Sequence, residues 1–134
     1  MSPRISVNSE FWKTFNSGGQ EYYLRRSYEY NSTPGESANL PPCLTVWIFV
    51  HKTRPQEKSI GKISVQADRD RWNDIAHLDN QAKANEQLEQ AARSGNWEIE
   101  PLARMLNQGF NEILRQIDNF GNNAAEISGQ FSLE

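Results

Sequence analysis

The sequence predicts an α+β fold: an antiparallel sheet of about three to five strands arranged as a meander, then two C-terminal helices, the last packed on the sheet. Two features carry this reading. Side chains alternate with period two through the first half of the chain, and the period changes to 3.6 in the second half. A length of 134 residues fits one domain with one core, so residues 1–134 are read as a single unit.

Ile5-Ser6-Val7 reads as the start of an edge strand. The next stretch is ambiguous. Phe11, Trp12 and Phe15 share a face only if Ser9 to Phe15 is helical, with Asn8 or Ser9 as cap and Gly18-Gly19 as stop, and a short helix is the favoured reading. Glu21 to Tyr30 is Tyr-rich and alternating, with Tyr22, Leu24, Arg26, Tyr28 and Tyr30 on one face and Tyr23, Arg25 and Ser27 on the other. Asn31 to Pro42 has no periodicity and ends in Pro41-Pro42, which lack N–H donors, so it reads as a loop. Cys43 to His51 is apolar on both faces, which predicts the central strand, covered on both sides. Ile60 to Ala67 alternates again, with Ile63, Val65 and Ala67 inward.

Asp79 to Arg93 is rich in helix formers but has only a thin apolar stripe of Leu78, Ala82, Leu88 and Ala92. The stripe of Leu102, Met105, Leu106, Phe110, Ile113, Leu114, Ile117 and Phe120 predicts a strong amphipathic helix, opened by Pro101 and closed by Gly121. Ala124 to Leu133 is read either as a short strand closing the sheet edge or as a tail docking on a partner.

Composition limits the chemistry. The longest apolar run, Leu44 to Val50, is too short to span a membrane and the N-terminus lacks a secretory pattern, so the expectation is a cytoplasmic protein without a membrane partner. Cys43 is the only cysteine, which excludes an internal disulfide. Net charge is −3, but residues 1–67 hold eight Lys and Arg against five Asp and Glu, whereas residues 68–134 hold six against twelve. This gradient favours oppositely charged contacts. Amides are numerous, thirteen Asn and nine Gln, yet spread along the chain rather than in a low-complexity tract.

No catalytic motif stands out. The Asp68 to Asp79 segment has carboxylates at 68, 70, 74 and 79, but Asn73 and Asp79 stand where a calcium loop needs Gly and Glu, so a solvated turn is the reading and no metal is expected. Cys43 and His51 are separated by roughly 26 Å of strand, too far to pair, and no phosphate loop or nucleophile elbow exists. No cofactor is expected.

The leading functional expectation is therefore a small non-catalytic protein-interaction module, an adaptor, regulator, chaperone-like or inhibitor/immunity-type protein. Its contact surface is placed at Tyr22, Tyr23, Arg25, Arg26, Tyr28 and Tyr30, residue types enriched at interface centres. Pairing of the last helix with a twin gives a homodimer as a further expectation. The alternative is single-stranded nucleic acid bound on the same strand, with Lys52, Arg54, Lys58 and Lys62 nearby. A second alternative is an enzyme using His77 with Asp74 or Asp79.

Overall fold

The computed structural model describes residues 4–31, 44–68, 100–120 and 126–134, with the isolated positions 86, 90 and 94. Five strands form one sheet in the order β1-β2-β3-β4-β5: β1 (Arg4–Ser17), β2 (Gln20–Asn31), β3 (Leu44–Lys52), β4 (Lys58–Ala67) and β5 (Gln130–Ser132). The first four are an antiparallel meander, and β5 returns parallel to β4. One helix element is defined among the described residues, α1 (Glu100–Phe120). The helix expected over Asp79 to Arg93 lies outside the described residues, except Glu86 and Gln90, both exposed.

The segment read as a short helix, Ser9 to Phe15, is strand. The cause is local. Register shifts between Val7 and Glu10 and between Phe11 and Lys13 insert extra residues into β1, so the three-residue spacing of Trp12 and Phe15 serves one sheet face and imitates a helical period. Gly18 and Gly19, read as a helix stop, are the two central residues of the β1–β2 hairpin, and their φ values of 58° and 80° are those this turn needs.

β3 sits centrally as expected, pairing β2 through Leu24↔Val50 and Arg26↔Ile48 and β4 through Ile48↔Ile63 and Val46↔Val65. Directly paired residues share a face, so Tyr22, Leu24 and Tyr28 join Leu44, Val46, Ile48, Val50, Ile63, Val65 and Ala67 in one buried layer. α1 closes that layer with Leu102, Met105, Leu106, Ile113 and Ile117. Its approach is close because Gly109 faces the sheet: a Cβ there would stand 2.5 Å from Ile48 Cδ1. Trp12 and Phe15 extend the layer, each meeting the Phe110 ring edge-to-face at 6.0 and 5.2 Å. The apolar stripe of α1 thus gives Leu102, Met105, Leu106, Ile113 and Ile117 to the core of one chain. No helix among the described residues is long and apolar enough to cross a membrane.

Candidate functional site

The face of the sheet opposite α1 carries the candidate site. Register aligns Phe11, Arg25, Phe49 and Lys62 in one cross-strand row and Thr14, Tyr23, His51 and Ser59 in the next. Adjacent strands are about 4.8 Å apart, so each four-strand row spans roughly 14 Å. No described element packs over these rows. Phe11 is 57% exposed, Lys62 is exposed, and Tyr23, Arg25, Trp47, Phe49 and His51 are half-buried. The same face is closed further along β3 and β4, where Thr45 and Ser64 are buried.

These side chains hold one another in place. The Tyr23 and His51 rings stack at 4.6 Å and 6°, and the Tyr23 hydroxyl donates to Glu57 Oε1. That hydrogen bond to a carboxylate raises the Tyr23 pKa. Burial pushes the His51 pKa down, Glu57 opposing and Arg25 adding to the shift, so the imidazole is neutral at neutral pH. Arg25 Nη2 donates to the Ser9 carbonyl at 2.8 Å and its Nε to Ser9 Oγ at 3.3 Å. Lys62 Nζ lies 5.0 Å from the Trp47 ring and 5.9 Å from the Phe49 ring. Both cations are thus held by neutral groups and keep their charge available. Beside them is an open groove of about 590 Å³ lined by Trp47, Phe49, Lys62, Glu126, Ser128 and Gln130 among others.

The residues expected on the contact surface divide between the two faces. Tyr23 and Arg25 stand on the accessible face. Tyr22 and Tyr28 do not: they are 0% and 1% exposed on the α1 side. Tyr22 stacks on Phe15 at 5.0 Å, and burial pushes the Tyr28 pKa up to about 12. The physical reason is that alternation separates the two sets of β2 side chains, while the position of α1 decides which set is covered. Arg26 also lies on the α1 side, where its Nε meets Glu10 Oε1 at 3.1 Å. Tyr30 pairs through its backbone with Ile5 and Leu44, and its side chain lies outside the described residues.

Trp47, Phe49 and Phe11 were missed as surface residues. The unbroken apolar run of β3 reads as covered on both sides, and the signal that could have separated its faces is the run of polar and charged partners, Arg25, Ser27, Lys62 and Ser64, aligned with Trp47 and Phe49. Cys43, His77, Asp74 and Asp79 lie outside the described residues, as does the Asp68 to Asp79 segment beyond Asp68. Among the described residues no three His, Cys, Asp or Glu side chains group to hold a metal ion. In comparisons with protein-family models, curated proteins and solved structures, no family model, protein or structure matches this chain.

Proposed function

We propose that this chain is a small cytoplasmic, non-catalytic protein-interaction module of adaptor, chaperone-like or inhibitor/immunity type, docking a partner protein on the sheet face opposite α1. One observation carries this reading: Phe11, Tyr23, Trp47 and Phe49 are interleaved with Arg25 and Lys62 on a single hydrogen-bonded sheet with no described element over them. Aromatic and Arg side chains on a rigid support bury large area at low entropic cost, which is the chemistry of interface hot spots.

Charge count separates this reading from single-stranded nucleic acid. With His51 neutral, the two rows offer only Arg25 and Lys62 as cations, and two phosphate contacts give a salt slope of only about −1.4 for a single strand. That supports weak binding at best.

Affinity purification with the intact chain, repeated with Trp47→Ala, Arg25→Glu and the control Arg104→Glu on the exposed side of α1, tests the proposal. A partner protein retained by wild type and control but weakened by roughly 2 kcal/mol or more in the two sheet-face variants is expected. A partner equally retained by all four overturns the placement. A short oligonucleotide bound with a steep salt dependence overturns the partner class.

A further inference from the structure

We propose that the cleft between β4 and α1 is a binding site for an extended peptide, occupied in this structure by the chain's own residues 127–133. This inference does not rest on the proposed docking face, although Ser128 and Gln130 of the segment also border the groove beside Trp47 and Phe49.

The cleft reads the backbone of that segment from both sides. On the β4 side, Ile127 N donates to Ile60 O at 2.6 Å, Lys62 N to Ile127 O at 2.9 Å, Ser64 N to Gly129 O at 3.0 Å and Leu133 N to Gln66 O at 2.8 Å. On the α1 side two glutamines act as amide clamps. Gln116 Nε2 donates to Ser128 O at 2.7 Å while its Oε1 accepts from Ser128 N at 3.2 Å. Gln108 Nε2 donates to Ser132 O at 2.9 Å while its Oε1 accepts from Glu134 N at 3.0 Å. The spacing is matched: eight residues of helix rise about 12 Å, and the four residues from Ser128 to Ser132 span about 13 Å as strand. Gln116 is 8% exposed, so its amide is desolvated, and a further hydrogen bond from its Nε2 to Glu112 Oε1 at 3.4 Å helps orient it.

Side chains are read at three points, and a fourth, Gly129, is fixed by its backbone: its φ is 142° and a Cβ there would stand 2.7 Å from the Phe131 ring. Ile127 is buried at 1% and Leu133 at 7%, and Phe131 packs against the core, whereas Ser128, Gln130 and Ser132 are exposed. β4 is shaped for a close backbone, because any side chain at Gly61 would overlap the Ile127 carbonyl. The flank of the segment stays open, bordered by a groove of about 670 Å³ lined by Arg104, Asn111, Glu112, Arg115, Phe131 and Leu133. An edge segment held mainly through its backbone, with three anchors and an unsealed flank, can leave with the pairing of β1 to β4 intact. The ligand class is an extended peptide running parallel to β4, with an aliphatic residue, a glycine two positions later, an aromatic two after that and an aliphatic two further on.

The test uses the full chain and a fluorescent synthetic peptide of the sequence of residues 126–134. In wild type the tethered segment, at an effective concentration on the order of millimolar, excludes the peptide. Ile127→Asp weakens the resident, and the folded variant is expected to bind the peptide at least about tenfold more tightly than wild type does, with no binding of a scrambled peptide. A variant with the wild-type circular dichroism spectrum that ignores the peptide, or takes the scrambled one equally, overturns the proposal. Hydrogen exchange on wild type gives a second reading. The amides of Ile127 and Leu133 are expected to exchange at least about tenfold faster than those of Val46 and Ile48 in β3. Equal rates would show that the segment opens only with the whole fold, which also overturns the proposal.

Discussion

Ser64 is a buried residue whose hydroxyl finds no hydrogen-bond partner among the described residues. A buried donor and acceptor left unmade costs about 1–3 kcal/mol, and truncation removes that cost along with the group. Ser64→Ala is therefore expected to stabilise the fold by about 1 kcal/mol, read as a higher urea midpoint with an unchanged m-value. A loss of stability would mean that the hydroxyl is satisfied in solution. Residue by residue, the sequence conveyed chemistry better than orientation. It singled out Tyr23 and Arg25 as surface groups, but it grouped them with Tyr22 and Tyr28, which β2 points the other way. Both faces of β2 mix aromatic and charged side chains, so hydrophobicity alone does not say which one meets the helix.

At the scale of the element, α1 supplies five side chains of the core, Leu102, Met105, Leu106, Ile113 and Ile117. Its 21 residues place one stripe against β3 and β4, and Ile113, fully buried, lies in the middle of that stripe. Ile113→Ala leaves a cavity that the facing strands cannot fill, and a loss of about 2–5 kcal/mol is expected in denaturant unfolding. This helix and β3 were legible because each keeps one period from end to end, and β4 was legible from Ile63 to Ala67, past the irregularity that sets Ile60 three residues from Ile63. β1 was not, because its bulges replace a two-residue spacing by three at the aromatic positions. The glutamines of α1 were invisible for another reason. Amides were counted as a diffuse bias of composition, and only the eight-residue interval between Gln108 and Gln116 distinguishes them from the rest.

At the scale of the whole molecule, two shifted groups among the described residues bear on stability between about pH 8 and about pH 3. Burial holds the His51 pKa below its ordinary 6.5, so between the two values the unfolded chain binds more protons than the folded one and stability falls as pH falls. Hydrogen bonds from Arg115, with Nε 3.0 Å from Glu112 Oε2, hold the Glu112 carboxyl below its ordinary range. Its contribution is present above that range and is lost as pH drops through the lowered value. Acidification is thus expected to destabilise in two steps. Urea midpoints measured from about pH 8 to about pH 3 should show both, and His51→Gln should remove the upper one alone.

The parallel return of β5 also bears on how the chain is made. β1 to β4 are joined in order and can pair as soon as each emerges from the ribosome, but the outer edge of β4 gains its partner only after α1 and the residues beyond it have been translated. At roughly 5–20 residues per second that interval lasts several seconds. Through it the nascent sheet offers β4, which carries Ile60, Ile63 and Val65, with its outer edge unpaired, and this stage of synthesis is exposed to edge-to-edge association.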